Sequence, residues 1–255
     1  MHGAAFEALG IDGEWSYGAI ELAPEEFGRR VPELEADGYV GANVTVPHKR
    51  AALAISDDAS EVARAIGASN TLSFREGRIH GENTDAAGLL ASLPEPPGGK
   101  RALVLGAGGA ARAVVWGLKN GDAEVEIWNR TAERAEELAL HFGARAVTAG
   151  ECEAGAYDIV VNATSVGMDR STTTEGGGAG LKALPIAADG LRANQVVVDL
   201  VYASGETELA RAARERGATV VGGLEVLVHQ GAESFRIWTG LDPPLEAMRE
   251  AAKST

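Results

Sequence analysis

A lysine and an aspartate, each in a predicted loop after an apolar run, are the residues best suited to acid–base chemistry. Lys49 ends the polar segment 43–49, Asp85 ends the segment 81–85, and a third polar segment lies at 67–71. A lysine beside a carboxylate can exchange a proton with a carbonyl or an alcohol. The surrounding amides and hydroxyls suit a small polyhydroxylated acid. An ordinary salt bridge among turn-forming residues is the alternative, and spacing alone leaves both open.

A glycine-rich turn follows the strand-like run 101–105 and precedes a helix-like run. Gly106, Gly108 and Ala111 give it the pattern Gly-x-Gly-x-x-Ala. Gly106 permits a tight turn, Gly108 lets backbone N–H groups approach a pyrophosphate, and Ala111 permits close packing of helix on strand. This context indicates dinucleotide binding. A glycine turn in a nucleotide-free α/β domain is the alternative.

The end of the next predicted strand selects between the two nicotinamide cofactors. NAD-binding proteins carry an acid there, about 20 residues after the glycine turn, which binds the ribose 2′-hydroxyl. This sequence instead has Asn129, Arg130 and Thr131, with Arg134 one helical turn later. Arginine binds phosphate through a planar fork, so the pair suits a 2′-phosphate. We therefore expect NADP(H), with solvated arginines as the alternative.

The composition is that of a globular protein and argues against several classes of partner. The 255 residues are 45% hydrophobic and 24% charged, and 37 acids against 23 bases give a net charge of −14. This charge repels nucleic acid and anionic membranes, so neither is expected as a partner. The single cysteine, Cys152, excludes an internal disulfide and a multi-cysteine metal site, and we expect no metal. No apolar run reaches the ~18 residues of a membrane-spanning helix, and the N-terminus lacks signal-peptide features. We therefore expect a cytoplasmic protein.

The order of predicted elements indicates an α/β fold with two domains. Strands and helices alternate after residue 100, which predicts a doubly wound parallel sheet. Before it, strands at 15–20 and 39–46 and a hairpin around Glu76-Gly77 predict a mixed sheet. We expect the active site in a cleft between the domains. The predicted boundaries are 1–85 plus 233–255 for a substrate domain and 86–232 for a Rossmann-like NADP-binding domain.

Seven motifs, which occur in one order and span nearly the whole chain, resemble those of the shikimate dehydrogenase family. They are Asn43-Val44-Thr45-Val46-Pro47-His48-Lys49, Ser69-Asn70-Thr71, Asn83-Thr84-Asp85, Gly106-Ala107-Gly108-Gly109-Ala110, Asn129-Arg130-Thr131, Asn162-Ala163-Thr164-Ser165, and Gly223-Leu224 with Gln230. The resemblance implies an NADP-dependent oxidoreductase of chorismate and aromatic amino acid biosynthesis. Its reaction would be the reversible NADPH-dependent reduction of 3-dehydroshikimate to shikimate.

The resemblance also implies roles for individual residues. Lys49 and Asp85 would be the catalytic pair. Lys49 would exchange the proton at the substrate oxygen, while Asp85 would bind the reacting hydroxyl and orient Lys49. The residues expected to contact the substrate are Thr45, Asn70, Tyr202 and Gln230. The residues expected on the cofactor side are Glu61, Gly106, Ala107, Gly108, Gly109, Ala110, Asn129, Arg130, Thr131, Arg134, Thr164, Ser165, Leu200 and Gly223.

One feature of the family has no counterpart in this sequence. The family begins with a strand and a loop whose two serines, in a Ser-x-Ser pattern, bind the substrate carboxylate; a Met-His pair follows and aligns with Met1-His2. Two missing charged hydrogen bonds, each roughly 1.5–3 kcal/mol, are expected to weaken binding by about 10²–10⁴-fold. A start assigned at an internal Met and a short form of the protein are the two explanations.

Two rival functions remain open. The first is a quinate/shikimate dehydrogenase that uses NAD, against which Arg130 and Arg134 argue. The second is a catalytically impaired NADP-binding module, because the carboxylate loop has no counterpart. The sequence also predicts a surface loop at 169–180 that is rich in Thr and Gly. A homodimer is a candidate assembly.

Overall fold

The computed structural model describes residues 1–167, 180–201 and 206–254. The predicted substrate contact Tyr202 and nearly all of the predicted loop 169–180 lie outside the described residues. The chain divides into two units, one of Met1–Gly88 with Leu227–Thr255 and one of Leu89–Val226. The first unit is therefore built from both ends of the sequence.

A four-stranded mixed sheet lies at the centre of the first unit. Its strands are β1 (Gly41–Asn43), β2 (Asp58–Ala59), β3 (Thr71–Arg75) and β4 (Arg78–Glu82), in the order β1-β3-β4-β2. The antiparallel pair β3–β4 confirms the predicted hairpin. Its turn residues Glu76 and Gly77 have φ of 56° and 71°, as a tight two-residue turn between twisted strands requires.

The other two strand predictions for this unit fail wholly or in part. Residues 15–20 lie in neither a helix nor a strand, and only Gly41–Asn43 of the predicted 39–46 strand is extended and paired. The segment 15–20 has no strand partner among the described residues and is held by side-chain contacts instead. The ring of Tyr17 stacks on His2 with 4.4 Å between centroids, and its hydroxyl donates to Asn43 Oδ1 at 3.0 Å.

Helices pack around this sheet and form two apolar clusters. Phe27 and Val31 belong to a cluster that includes Leu72 and Phe74 of β3. A second cluster joins Phe6 of the first helix to Phe235 and Met248 of the last two. The helices of this unit are α1 (His2–Leu9), α2 (Pro24–Arg30), α3 (Lys49–Ile55) and α4 (Glu61–Ile66), together with the start of α5 (Asp85–Ser92), most of α9 (Gly223–Thr239) and α10 (Leu245–Lys253).

The second unit is a doubly wound, Rossmann-like α/β domain, as predicted. Its six strands are all parallel and follow the order β10-β9-β8-β5-β6-β7, so the winding direction reverses at β5. The strands are β5 (Arg101–Leu105), β6 (Glu124–Trp128), β7 (Arg145–Ala146), β8 (Ile159–Asn162), β9 (Val196–Asp199) and β10 (Thr219–Gly222). The helices are α6 (Gly109–Asn120), α7 (Ala132–Phe142), α8 (Glu208–Glu215) and the start of α9.

Both faces of this parallel sheet are covered, which explains its continuous apolar strand sequences. In β5, Ala102 and Val104 pack into one apolar cluster, while Leu103 and Leu105 pack into another. Every residue of β8 and β9 is buried. No helix among the described residues combines the length and the hydropathy needed to cross a bilayer.

Candidate active site

A lysine–aspartate ion pair lies in the first unit, where two helices begin. Lys49 is the first residue of α3 and Asp85 the first of α5. The Nζ of Lys49 donates a hydrogen bond to Oδ2 of Asp85 at 2.7 Å, and the two side chains are 18% and 21% exposed. A pair screened from bulk water to this degree interacts more strongly than a fully exposed pair, yet both groups remain accessible to a small molecule.

Asn70 fixes the orientation of the aspartate. Its Nδ2 lies 2.9 Å from Oδ1 of Asp85, so each carboxylate oxygen has its own donor. The Oδ1 of Asn70 accepts from the backbone N–H of Thr84 at 2.7 Å, which sets the orientation of the amide. The ammonium of Lys49 has three N–H donors, and among the described residues Asp85 alone accepts from it, so two donors remain for a substrate oxygen.

Gln230 of α9 belongs to the same cluster. Its Oε1 accepts from Asn70 Nδ2 at 3.1 Å, and its Nε2 donates to the backbone oxygen of Leu227 at 2.9 Å. The start of α5 passes very close to this side of α9. A Cβ at Gly88 would lie 2.7 Å from the backbone N of Gln230, so a glycine is required for this approach.

A buried group of hydroxyls behind these residues was not expected from the sequence. The Oγ of Ser234, which is fully buried, accepts from Asn43 Nδ2 at 2.8 Å and lies 2.9 Å from Thr71 Oγ1. It also lies 3.3 Å from Thr84 Oγ1 and donates to the backbone oxygen of Gln230 at 3.1 Å. One hydroxyl thus joins β1, β3, the segment after β4 and α9. A signal existed in the sequence, because Ser234 is four residues after Gln230 and therefore shares its helix face.

Two other predicted site residues of this unit do not belong to this polar cluster. Thr45 lies between β1 and α3 with an exposed side chain, and its backbone oxygen accepts from the N–H of His48 at 2.9 Å. Glu61, predicted on the cofactor side, is an exposed residue at the start of α4. The placement of both as ligand contacts stays a prediction.

In the second unit, the glycine turn has the form of a phosphate-binding loop. Gly106 directly follows β5 with φ of 115°, and a Cβ there would lie 2.9 Å from the backbone oxygen of Ala163. Gly108 is the N-cap of α6, a helix of 12 residues. The N-terminal N–H groups of α6 are therefore not covered by a side chain at the cap, and such a helix end favours an anion. Ala107, Gly109 and Ala110 complete the turn.

The other cofactor-side residues lie along the same edge of the sheet. The register aligns Trp128, Leu105, Asn162, Asp199 and Gly222 across five strands. The residues that come next in the sequence are Asn129, Gly106, Ala163, Leu200 and Gly223. Thr164 and Ser165 follow Ala163, so nearly all the predicted cofactor residues of this unit gather at the carboxyl ends of the strands, where open α/β sheets bind their ligands.

The segment after β6 carries the two arginines predicted to select the cofactor. Asn129 Nδ2 donates to the backbone oxygen of Thr131 at 2.8 Å, which shapes the turn into α7. Arg130, Thr131 and Arg134 are exposed. Within the described part of the chain, neither guanidinium forms an ion pair. Together with the uncovered start of α6, two unpaired guanidiniums fit a dinucleotide that carries an additional phosphate.

A buried carboxylate that the sequence reasoning missed lies at the end of β9. Asp199 is 1% exposed, and its Oδ1 accepts from Asn162 Nδ2 at 2.9 Å and from the N–H of Val201 at 3.2 Å. Its Oδ2 accepts from the hydroxyl of Thr207, the N-cap of α8. Burial raises the pKa of Asp199, while its three donors lower it. Asn162 Oδ1 in turn accepts from both the N–H and the hydroxyl of Thr164, which holds the segment after β8.

The side chains that commonly bind metal ions are dispersed. In the part of the chain that the structure describes, no group of three or more His, Cys, Asp or Glu side chains could hold a metal ion.

Three family models match successive parts of the chain. The shikimate dehydrogenase substrate binding domain matches residues 1–72, shikimate / quinate 5-dehydrogenase matches 92–172, and the shikimate 5′-dehydrogenase C-terminal domain matches 223–253. Together they cover most of the sequence and include Lys49, Asn70, the glycine turn and Gln230.

Individual relatives agree with the family models. The NADP⁺-dependent shikimate dehydrogenase of Brucella melitensis biotype 2 is 44% identical over 98% of this chain and 87% of its own length. That of Shouchella clausii is 39% identical over 99% and 92%. The crystal structure of shikimate 5-dehydrogenase from Thermus thermophilus, in complex with NADP(H) and shikimate, superposes with a TM-score of 0.87 at 41% identity, over 99% of this chain and 92% of that one.

Proposed function

Because this chain belongs to the shikimate dehydrogenase family, we propose that it catalyses the reversible NADPH-dependent reduction of 3-dehydroshikimate to shikimate. The observation that carries the proposal is the contact of Lys49 with Asp85 at 2.7 Å inside the cluster of Asn70 and Gln230. Proton exchange at a carbonyl needs such a positioned donor. The reaction belongs to aromatic amino acid and chorismate biosynthesis.

Lys49 and Asp85 carry out the proton transfer. Bound NADPH supplies a hydride to the carbonyl carbon. Lys49 gives a proton to the carbonyl oxygen during reduction, so the C=O group becomes CH–OH. During oxidation Lys49 takes the proton from the hydroxyl, and the CH–OH group becomes C=O. Asp85 accepts a hydrogen bond from the same hydroxyl and keeps the ammonium pointed at it. Asn70, which donates to Asp85, holds this arrangement.

Three of the four proposed substrate contacts, Thr45, Asn70 and Gln230, belong to the first unit. Thr45, Asn70, Tyr202 and Gln230 are assigned to the substrate, and the contact between Asn70 and Gln230 supports placing these two at one binding surface. Asn70 and Gln230 carry both amide donors and amide acceptors. Such groups suit the hydroxyls of a polyhydroxylated ring.

The cofactor contacts are proposed to come chiefly from the second unit. The phosphates would lie at Gly106–Ala110, the 2′-phosphate at Arg130 and Arg134, and the remaining contacts at Asn129, Thr131, Thr164, Ser165, Leu200 and Gly223. Glu61 is assigned to the cofactor by resemblance alone. The uncovered N-terminus of α6 and the exposed arginines support this assignment.

The two rival functions have less support. The relatives compared above are shikimate dehydrogenases rather than quinate dehydrogenases, and the two exposed arginines favour NADP over NAD. An NADP-binding module without catalysis has no need of a preserved Lys49–Asp85 pair.

The decisive experiment measures NADP⁺ reduction by this chain with shikimate, followed by the absorbance of NADPH. We expect saturable turnover with shikimate and NADP⁺, and much less with quinate or with NAD⁺. Binding of NADP⁺ without turnover would contradict the proposal and favour the impaired module. Equal turnover of quinate with NAD⁺ would favour the quinate alternative.

A cytoplasmic location and a homodimer complete the proposal. The lone Cys152 is buried and forms no disulfide, so folding needs no oxidising compartment. Cell fractionation tests the location. Light scattering after gel filtration tests the dimer, and a monomeric mass would contradict it.

A further inference from the structure

Asp199 is a charged group placed where the sheet meets the proposed cofactor. It occupies the last paired position of β9, in register with Asn162 of β8, and Leu200 follows it directly. Within the described ranges it forms no ion pair, and all three of its partners are neutral donors. Its charge is therefore held in place by hydrogen bonds and is not cancelled by a cation.

The strand order indicates which part of the cofactor lies nearest to Asp199. If the proposed function holds, the pyrophosphate lies at the turn after β5 and the 2′-phosphate at the arginines after β6. β8 and β9 follow β5 on the opposite side. A dinucleotide extends to both sides of its pyrophosphate across the switch point of such a sheet, so its nicotinamide half extends toward β8 and β9. Strands are spaced by about 4.8 Å, which puts the end of β9 roughly 10 Å from that of β5.

NADP⁺ and NADPH differ in charge only at the nicotinamide end of the molecule. The nicotinamide ring is cationic in NADP⁺ and neutral in NADPH, whereas the phosphates and the adenosine half are the same in both. We propose that Asp199 determines which redox state of the cofactor the site prefers. Its buried negative charge strengthens the binding of NADP⁺ relative to that of NADPH. The inference rests on the proposed cofactor, and it assigns a role to a residue that has none in the proposed function.

The test compares dissociation constants for the two cofactors, measured separately by calorimetry without substrate. Asp199→Asn keeps the shape and removes the charge. We expect the ratio of Kd for NADPH to Kd for NADP⁺ to fall roughly three- to tenfold, the effect of a unit charge within about 10 Å of the nicotinamide in a medium intermediate between water and protein interior. Asp199→Ser is a second neutral variant with different hydrogen bonding, and thermal unfolding shows which of the two is folded.

Asp158→Asn is the matched control. Asp158 precedes β8 at the opposite edge of the same sheet, where it accepts from the N–H of Arg101 at 3.0 Å and pairs with Arg192 at 3.1 Å. Removing the charge of Asp158 should leave the ratio of Kd for NADPH to Kd for NADP⁺ unchanged. A folded neutral Asp199 variant that binds both cofactors with the wild-type ratio overturns the inference and leaves the proposed function intact. A wild-type chain that binds neither cofactor overturns the proposed function, and the inference with it.

Discussion

Lys49 and Asp85 are 36 positions apart in the sequence, yet Nζ of the lysine lies 2.7 Å from Oδ2 of the aspartate. The β3–β4 hairpin brings them together. The N–H of Ser69, just before β3, donates to the backbone oxygen of Lys49 at 2.9 Å, and Asp85 follows the end of β4. The two helices that begin at these residues are therefore anchored at the same end of the hairpin, where Thr71 of β3 pairs with Glu82 of β4.

Replacing the lysine tests whether it is the proton donor. Lys49→Gln should lower kcat by roughly 10²–10⁴-fold, the contribution typical of a positioned acid–base group. Because the cofactor turn lies on the second unit, Kd for NADP⁺ should not change. Lys100→Gln is the control, since Lys100 forms a pair of similar length, 2.8 Å, with the exposed Glu95. A Lys49→Gln variant with turnover close to that of the control would exclude the assigned role.

The two arginines after β6 are predicted to determine the choice of cofactor. Alanine at both Arg130 and Arg134 should weaken NADP⁺ binding about 10–100-fold, because two charge-assisted contacts to the 2′-phosphate are lost. NAD⁺ has no such phosphate and serves as the internal control, measured on the same variant. An equal loss for both cofactors would mean that the arginines act on the pyrophosphate or on the fold instead.

The glycine at the start of the phosphate turn is predicted to tolerate no side chain. Gly106→Ala places a Cβ 2.9 Å from the backbone oxygen of Ala163 at a φ of 115°. We expect a loss of about 1–3 kcal/mol in the free energy of unfolding and at least a tenfold weaker NADP⁺ affinity. Gly150→Ala is the control, because a Cβ at Gly150 meets no atom within 4 Å. Equal urea midpoints and cofactor affinities for the two variants would contradict the prediction.

The hydroxyl of Ser234 is predicted to position Gln230 and Asn43 for the substrate. Ser234→Ala leaves Nδ2 of the half-buried Asn43 without its nearer acceptor, so KM for shikimate should rise by roughly three- to tenfold while Kd for NADP⁺ stays unchanged. Thr239→Ala is the control on the same helix, since Thr239 also donates to the backbone oxygen four residues earlier. If the two variants raise KM equally, the effect belongs to the helix and not to the polar cluster.

A buried histidine is predicted to make the fold sensitive to acid. His2 is 3% exposed, and neither ring nitrogen meets the geometry of a hydrogen bond within the described residues. Burial, together with the nearby N-terminal ammonium, lowers the pKa of His2 from 6.5 to about 4, against a smaller opposing effect of the Asn43 side chain. The unfolded chain therefore takes up this proton first, so stability falls as the pH drops below 6.5, with the full loss of about 3 kcal/mol reached near pH 4.

A comparison of variants separates the effect of His2 on stability from the effect of the carboxylates, which are protonated in the same pH range. Between pH 6.5 and pH 4, the free energy of unfolding measured in urea should fall by about 3 kcal/mol less for His2→Phe than for the wild type. His80→Phe, a change at a partly exposed histidine of β4, is the control. A His2→Phe variant with the pH dependence of the wild type would disprove the prediction.

The parts of the fold that depend on local sequence were predictable. The Glu76-Gly77 hairpin and the alternating strands and helices after residue 100 are encoded in turn chemistry and apolar runs, and the structure contains both. The edge that carries Gly106, Asn129 and Leu200 was predictable for the same reason, because parallel strands bring their carboxyl ends together.

The parts that depend on long-range contacts were not predictable from local patterns. The pattern at 15–20 favours a strand, yet Tyr17 packs on a histidine 15 positions earlier, and no strand forms. The spacing of Ser234 from Gln230 shows only that the two share a helix face, and its contacts with β1 and β3 arise from the tertiary fold. Asp199 resembles the end of an ordinary strand, and only the hydroxyl that caps α8 and the neighbouring Asn162 show that its charge is buried.

The origin of the first unit from both ends of the chain has a consequence for how the protein is made. Residues 89–226 leave the ribosome before Phe235 and Met248, the apolar partners of Phe6. The α/β domain can therefore fold while the first 88 residues still lack part of their core. The polar cluster gains Gln230 and Ser234 only after residues 89–226 have been synthesised. Chains truncated after Val226 should contain the folded α/β domain and leave Phe6 open to chaperones.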